Sequence, residues 1–223
     1  MRAIILAAGQ ALQLDGYNKL LIKDPVDGRT ILAKYLEAFD GFEITVVLGY
    51  RAINVMHEYP QLNYAFNSEW AVSNSSYSLS LALTDEPCYV ISGDFFIEPT
   101  LIKAMDKIKG NVVGTLHREN RTLNALNVTT DPDGKIKDIY QGKLKNSHDP
   151  EAIGIYKVTS RSLLKSWRKN CVNHSNLFIG QNLALESSEA LRTFDLANHR
   201  LEEVNTPLDY MRILSNYNLQ DNE

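Results

Sequence analysis

The sequence predicts an α/β protein in which helices cover both sides of a mostly parallel sheet. Apolar runs at residues 3–8, 43–48 and 88–92 each stand directly before a glycine, which is typical of strands buried on both faces. Segments with apolar residues three and four apart, such as residues 30–39, separate these runs and predict amphipathic helices. Because parallel strands need crossover connections, this alternation indicates a Rossmann-like three-layer α/β/α fold.

The other elements of the first half continue this alternation. Pro99 favours the first turn of a helix, so residues 99–108 are predicted to be helical. We also expect helices at residues 53–59 and 76–83, with a strand at residues 62–66 between them.

The middle of the chain departs from this alternation. The turn sequence at residues 131–134, Asp-Pro-Asp-Gly, separates two strand-like runs at residues 124–129 and 135–140, which predicts a β-hairpin. We therefore expect a single domain over residues 1–223, with a hairpin elaboration near residues 124–150.

The last third of the chain returns to alternating elements. Thr206, Pro207 and Asp209 are the residue types preferred at the N-cap, N1 and N3 positions of a helix, so a last helix is predicted to begin there. The other predicted elements are a strand at residues 152–158, helices at residues 160–169 and 178–189, and a strand at residues 191–196.

Composition and charge exclude several classes of protein. Of the 223 residues, 44% are hydrophobic and 22% are charged, which is ordinary for a globular domain. The net charge of −4 and the lack of a long basic run argue against a nucleic-acid partner. No apolar run approaches the ~20 residues of a membrane span, and the N-terminal run is too short for a signal peptide. We therefore expect a cytoplasmic protein with no membrane partner.

The loop after the first predicted strand is a candidate binding loop, because ligands of open α/β sheets bind beyond the carboxyl ends of the strands. Residues 7–13 contain small side chains around Gly9, which let a phosphate or a base approach the main chain. Only Gly9 fits a GxGxxG pattern and no GK[ST] follows, so the dinucleotide-binding and P-loop motifs are excluded. Tight packing is the alternative explanation of this loop.

Two charged residues near such loops are candidate functional residues. Asp94 follows a buried strand, and Mg²⁺ prefers one or two protein carboxylates together with substrate phosphates. Taken alone, Asp94 fits a turn-capping role equally well. Lys19 stands before the apolar pair Leu20 and Leu21, where a solvated surface lysine is the alternative to a phosphate-binding one.

Six short segments of the chain occur in an order known from one enzyme family. They are residues 1–9 (MRAIILAAG), 18–21 (NKLL), 46–50 (VVLGY), 93–94 (GD), 152–156 (AIGIY) and 204–209 (VNTPLD). In these segments, and over nearly its whole length, the chain resembles the nucleotidyltransferase family. Asn67 and residues 73–81 (SNSSYSLSL) are most similar to the phosphocholine and 2-aminoethylphosphonate cytidylyltransferases, in which an Asn-rich turn leads into a Tyr-Ser-Leu helix.

The resemblance implies a Mg²⁺-dependent cytidylyltransferase that joins the CMP of CTP to a small phosphorylated or phosphonate acceptor and releases pyrophosphate. Lys19 and Asp94 would be catalytic: Lys19 would neutralise phosphate charge, and Asp94 would hold Mg²⁺ together with Asn205. The residues implied in nucleotide binding are Leu6, Ala7, Ala8, Gly9, Gln10, Gln13, Lys19, Ser75 and Ser76. Many members of the family are dimers, so a homodimer is a further expectation.

The acceptor is less constrained by the sequence. Tyr77 and Arg118 are the candidate acceptor-binding residues, since an aromatic face suits a choline-like cation and a guanidinium suits a phosphate. The alternatives are a packing role for Tyr77 and a solvated surface position for Arg118.

The first loop departs from the usual pattern of the family, which has a second Gly followed by an Arg that touches the triphosphate. Ala11 and Gln13 stand at these two positions. Loss of one charged hydrogen bond costs about 1.5–3 kcal/mol, which is roughly ten- to a hundredfold in rate. Either another cation, such as Arg51 or Arg118, replaces the missing Arg, or the protein binds nucleotide without turnover. A molybdopterin-type or sugar-phosphate nucleotidyltransferase that uses GTP or UTP is the remaining alternative.

Overall fold

The computed structural model describes residues 1–185 and 189–220, the last three of these by their backbone alone. None of the helices in this part of the chain is long and apolar enough to cross a membrane. The strands are β1 (Arg2–Ala7), β2 (Glu43–Leu48), β3 (Asn63–Phe66), β4 (Cys88–Ser92), β5 (Phe95–Ile97), β6 (Asn111–Leu116), β7 (Leu126–Thr130), β8 (Ile136–Gln141), β9 (Glu151–Val158), β10 (Leu191–Asp195) and β11 (Leu201–Glu203). The α-helices are α1 (Ile31–Ala38), α2 (Ala52–Glu58), α3 (Ser75–Ser80), α4 (Pro99–Asp106), α5 (Arg161–Asn173), α6 (Ile179–Ala184) and α7 (Pro207–Gln220).

The central sheet has the strand order β10-β6-β9-β4-β1-β2-β3. Neighbouring strands on this path are parallel, except that β9 runs antiparallel to both β4 and β6. The hairpin of β7 and β8 joins the sheet through β9. The predicted fold class, a mostly parallel sheet with a small hairpin elaboration, is therefore confirmed.

Two apolar clusters hold the helices against opposite faces of this sheet. Along β1, Ile5 belongs to one cluster and Ile4 to the other, because successive side chains of a strand point to opposite faces. The cluster of Ile5 includes Tyr35 of α1, and that of Ile4 includes Leu79 of α3 and Trp167 of α5. The predicted α/β/α layering follows from this division.

The structure differs from the sequence-based expectations in its two shortest strands and at the ends of two later helices. Strands β5 and β11 were not predicted, because three residues are too few to show an alternating pattern; they pair antiparallel, with Glu203 opposite Phe95. Helix α5 extends to Asn173 rather than to residue 169. Helix α6 ends at Ala184, and residues 186–188 of the helix predicted at 178–189 lie outside the described residues.

A buried ion network ties the loop before α1 to the segment that leads into β11. The Asp24 carboxylate is inaccessible to solvent and accepts hydrogen bonds from Arg200 at 2.8 and 2.9 Å. The ammonium group of Lys34 lies 2.8 Å from the same carboxylate. Burial alone would raise the pKa of Asp24, but the hydrogen bonds from Arg200 and Lys34 outweigh it and hold the pKa below its ordinary value.

We expect Asp24→Asn to lower the free energy of unfolding by about 3 kcal/mol at pH 7, because the neighbouring cations lose their counter-charge. Urea denaturation measures this change, and the exposed Asp40→Asn serves as a control that should stay within about 0.5 kcal/mol of wild type. The folded pKa of Asp24 is lowered, so its contribution is complete above about pH 4 and is lost as the pH falls through the folded value. Equal stability of the two variants at pH 7 would contradict this role.

Candidate active site

Three loops meet at the carboxyl ends of β1, β2 and β4. The carbonyl oxygen of Leu6 accepts a hydrogen bond from the Gly93 amide at 2.8 Å, and that of Ala8 accepts one from the Tyr50 amide at 3.0 Å. A Cβ atom on Gly49 would lie 2.6 Å from the Ala8 oxygen and 2.6 Å from the Cβ of Trp70. Only glycine therefore allows the loop after β2 to approach the loop after β1 this closely.

A cavity of about 380 Å³, here called the first cavity, opens over these loops. The small residues of the loop after β1 form one side of it, and a segment that includes Trp70 and the start of α3 forms the other. Of the described residues that line it, Lys19 alone is basic and Asp94 alone is acidic. The predicted site residues found in its lining are Leu6, Ala7, Ala8, Gly9, Gln10, Lys19, Ser75 and Asp94.

The segment opposite the first loop is ordered by Asn67, which is 1% exposed. Its amide nitrogen donates to the hydroxyl oxygens of Ser73 at 3.0 Å and Ser78 at 2.9 Å, while its carbonyl oxygen accepts from the Glu69 amide at 2.8 Å. The hydroxyl of Ser75 differs from these two, because it is buried and has no hydrogen-bond partner. A buried hydroxyl without a partner is a group that a ligand can satisfy.

Lys19, which lines the first cavity together with Asp94, contacts both Asp94 and Asn205, and we call this set of contacts the Lys19 junction. The Lys19 ammonium group lies 3.3 Å from Asp94 Oδ2 and donates a short hydrogen bond to Asn205 Oδ1. The Asn205 amide donates to Glu203 at 2.6 Å, so its oxygen is turned towards Lys19. Burial raises the pKa of the Asp94 carboxyl, the charge of Glu203 adds to this, and Lys19 opposes it.

The oxygens at the Lys19 junction suit a small divalent cation. Asp94 Oδ1 is buried without a hydrogen-bond partner, and Oδ2 of the same carboxylate and the Asn205 oxygen already share one cation, the Lys19 ammonium. No group of three or more His, Cys, Asp or Glu side chains in the described part of the chain is arranged to hold a metal. Mg²⁺ fits this donor set, because it commonly uses one or two protein oxygens and completes its shell with water and substrate phosphates.

A second cavity of about 400 Å³ adjoins the first and shares Ser75, Ser92 and Asp94 with it. The charged residues in its described lining are all carboxylates, namely Asp94, Glu151 and Glu203. Aromatic residues complete its walls: Phe95, Tyr156 and Phe178. The two cavities therefore meet at Asp94, and the second is acidic and partly apolar.

Glu151 is the least compensated of these carboxylates. Its Oε2 atom is buried without a hydrogen-bond partner, and the nearest cation, Arg118, stands 3.8 Å away. Arg118 lies closer to Glu203, at 3.0 Å. Burial raises the pKa of Glu151, with a further increase from Glu203, and Arg118 counteracts it.

Four predicted site residues line neither cavity. Gln13 is exposed and faces a separate groove next to α7. The fully buried Ser76 uses its hydroxyl within the fold, donating to the Leu177 carbonyl at 2.6 Å and accepting from Asn182 at 2.8 Å. The Tyr77 hydroxyl donates to Glu69, and Arg118 contacts the second cavity only through its ion pairs.

The sequence analysis did not identify Glu151 and Glu203 as site residues. Glu203 lies in β11, which is too short to be predicted. Glu151 begins the antiparallel strand β9 and pairs with Leu116 at the end of β6, so it lies at the carboxyl edge of the parallel strands. An acidic residue directly before the apolar run 152–158 was the available signal, and it becomes informative only once β9 is known to be antiparallel.

Comparison with solved structures identifies the fold. The chain superimposes with a TM-score of 0.73 on CTP:phosphocholine cytidylyltransferase (LicC) from Streptococcus pneumoniae, at 18% identity over 96% of this chain and 97% of that one. This is the fold of a nucleotidyltransferase. The inositol-1-phosphate CTP transferase of T. maritima gives a TM-score of 0.70 at 18% identity, over 97% of this chain and 95% of that one.

A third solved structure extends the range of nucleotides bound by proteins of similar fold. HddC from Yersinia pseudotuberculosis, complexed with GMP-PN, matches with a TM-score of 0.67 at 14% identity, over 97% of this chain and 99% of that one. No protein-family model and no curated protein matches the sequence. At these identities the similarity establishes the nucleotidyltransferase fold.

We expect Gly49→Ala to destabilise the protein by about 1–3 kcal/mol, because the new methyl group would overlap the Ala8 carbonyl and Trp70. Thermal or urea unfolding measures the change, and the emission of Trp70 should shift in the folded variant. Gly9→Ala is the matched control, since a Cβ at position 9 has no atom within 4 Å. Equal stabilities of the two variants would show that the loops are not packed this closely.

Proposed function

We propose that this protein is a Mg²⁺-dependent nucleotidyltransferase that joins the CMP of CTP to a small acceptor bearing a phosphate or phosphonate. The observation that carries the proposal is the meeting of two cavities at Asp94, with Lys19 and Asn205 beside it. A reaction between two substrates needs adjoining sites, and transfer of a phosphoryl-containing group needs positive charge where they meet.

In this reaction the nucleotide occupies the first cavity and the acceptor occupies the second. An oxygen of the acceptor phosphate attacks the α-phosphorus of CTP and forms a new P–O bond. The bond from the α-phosphorus to the oxygen that bridges to the β-phosphorus breaks, and pyrophosphate leaves with that oxygen and its electron pair. The displacement is direct, so it requires no nucleophile from the protein. The chain contributes alignment and charge neutralisation.

Asp94 and Asn205 would hold the Mg²⁺ ion. When bound, the ion offsets the negative charge of the reacting phosphates. The Lys19 ammonium, which contacts the same two side chains, would then turn to the phosphates in the first cavity. Ser75, whose buried hydroxyl is unpartnered and lines both cavities, would donate to the substrates between the base and the reacting phosphate.

Lys19 is the basic side chain in the described lining of the first cavity, and Gln13, at the position of the missing Arg, faces a separate groove. Both observations support Lys19 as the cation that contacts the triphosphate. The two arginines that are candidates to replace the missing Arg are both engaged elsewhere. Arg51 donates to the Gly16 carbonyl at 3.2 Å and lies over the ring of Tyr50, while Arg118 pairs with Glu203. The absence of the family arginine from this loop would lower the rate, but the alignment of the substrates and the other positive charges would remain.

The charges of the second cavity favour an acceptor with a cationic group, such as phosphocholine or 2-aminoethylphosphonate. Its carboxylates and aromatic walls suit an ammonium group, which gains from both negative charge and ring faces. A sugar phosphate would leave Arg118, 3.8 Å away and not hydrogen-bonded to it, as the cation beside the buried Glu151 Oε2 atom, whereas an ammonium group would add a second positive charge there. We therefore favour a cationic acceptor over a sugar phosphate.

Pyrophosphate release tests the proposal directly. CTP, UTP, GTP and ATP are each combined with phosphocholine, 2-aminoethylphosphonate, glycerol phosphate and glucose 1-phosphate, with Mg²⁺ present. We expect release with CTP and a cationic acceptor, and a loss of at least about 100-fold in kcat for Asp94→Asn and for Lys19→Met. The exposed turn residue Asp133 provides the control, since Asp133→Asn should retain wild-type activity.

The other outcomes of this assay identify the alternatives. Release with GTP or UTP and glucose 1-phosphate would assign the protein to the sugar-phosphate class. Tight binding of CTP without release from any pair would favour a nucleotide-binding protein without turnover. Full activity in Asp94→Asn would contradict the assigned site.

We further expect Glu151→Gln to raise the KM for a cationic acceptor by about 10-fold, because the variant removes one charged partner of the ammonium group. Initial rates at varied phosphocholine give this value, and the KM for CTP should not change. Glycerol phosphate lacks the cationic group and is the control acceptor. Its KM should not increase in Glu151→Gln. Equal effects on both acceptors would contradict a role in recognising the cation.

A further inference from the structure

The phenol of Tyr35 lies beneath the loop that carries Asp94. Tyr35 is completely buried in helix α1, and its hydroxyl donates a hydrogen bond to the Ser92 carbonyl at 2.7 Å. The same oxygen accepts a hydrogen bond from the Phe95 amide at 3.1 Å. One side chain thus bridges the residues on either side of Gly93 and Asp94.

The rest of this loop is held by backbone contacts at Gly93 and Asp94 themselves. The Gly93 amide donates to the Leu6 carbonyl at 2.8 Å, and the Asp94 carbonyl accepts from the Val204 amide at 2.9 Å. The second contact joins the Asp94 loop to the residue before Asn205. The Tyr35 hydroxyl adds side-chain hydrogen bonds to these backbone contacts. It reaches the loop from helix α1, outside the site.

The Tyr35 hydroxyl keeps its proton, which its bond to Ser92 requires. Burial raises the pKa of Tyr35 well above its ordinary value, and the nearby charge of Asp94 raises it further. The hydrogen bond from the Phe95 amide acts in the opposite direction but is outweighed. The hydroxyl is therefore protonated at neutral pH and can donate to the Ser92 carbonyl.

We propose that Tyr35 is a positioning residue, whose hydroxyl fixes the Asp94 carboxylate relative to Lys19 and Asn205. The inference rests on the proposed function, in which Asp94 holds the ion at the reacting phosphates. Tyr35 touches neither cavity, so it acts only through the loop. A shift of about 1 Å at a reacting centre is enough to lower a rate by roughly a hundredfold.

Tyr89 supplies a matched control within the same apolar cluster. It is also completely buried, and its hydroxyl donates to the Asp106 carboxylate at 2.7 Å. Its strand position is opposite Ala3, four residues before the end of β1, whereas the Asp94 loop follows the far end of β4. The variants Tyr35→Phe and Tyr89→Phe therefore each remove one buried hydroxyl, but only the first hydroxyl touches the Asp94 loop.

The test compares kinetics and crystal structures of these two variants. Tyr35→Phe should lower kcat by about 10- to 100-fold while the KM for CTP stays within about twofold, since the nucleotide contacts remain. Tyr89→Phe should keep kcat within about twofold of wild type, even if its melting temperature falls by as much as that of Tyr35→Phe. The crystal structures should show a displaced Asp94 carboxylate, measured from Asn205, in Tyr35→Phe alone.

Wild-type kcat in Tyr35→Phe, equal kcat losses in the two variants, or an unmoved Asp94 would each overturn the inference. If Tyr35→Phe does not fold, hydrogen exchange of the Phe95 amide in the wild-type protein tests the bridge instead. Strong protection supports the bridge, and exchange at the rate of an unbonded amide refutes it. The structural and exchange measurements do not depend on turnover, so an inactive wild type would count against the proposed function, while the position of Asp94 in the Tyr35→Phe crystal would still decide the role of Tyr35.

Discussion

The contact of Lys19 with Asp94 and Asn205 is the interaction on which the site depends. It joins three distant parts of the chain: the loop after β1, the loop after β4 and the segment before α7. The partly buried Asp94 carboxylate is compensated by Lys19, and this compensation is what keeps an acidic group stable between two cavities. The parallel register of β1 and β4 brings the two loops together, and the hydrogen bond from the Val204 amide to the Asp94 carbonyl holds the third segment against them.

The two cavities differ in charge, and this difference assigns each substrate of the proposed reaction to one of them. The first presents main chain, small side chains and one lysine, which suit a nucleotide and its phosphates. The second presents carboxylates and aromatic rings, which repel a triphosphate and attract a cation. Electrostatics alone therefore favours the nucleotide in one cavity and the acceptor in the other, with Asp94 between their reacting groups.

The fold and the centre of the site could be predicted from the sequence because they depend on local patterns. Lys19 and Asp94 stand in loops next to strongly apolar strands, and such loops meet at one edge of a parallel sheet. Ser75 and Ser76 could not be distinguished in this way, since their roles depend on the direction each side chain takes at the start of α3. Glu203 lies in a strand of three residues, and its contribution follows from long-range pairing that no local pattern encodes.

The most direct test of the account is a crystal structure of the protein with Mn²⁺ and a CTP analogue that cannot release pyrophosphate. Anomalous scattering locates the ion independently of the rest of the model. The account predicts an anomalous peak bound by Asp94 and Asn205, the nucleotide in the first cavity, and the Lys19 ammonium moved onto its phosphates. A nucleotide bound elsewhere, or an ion that contacts neither Asp94 nor Asn205, would contradict it.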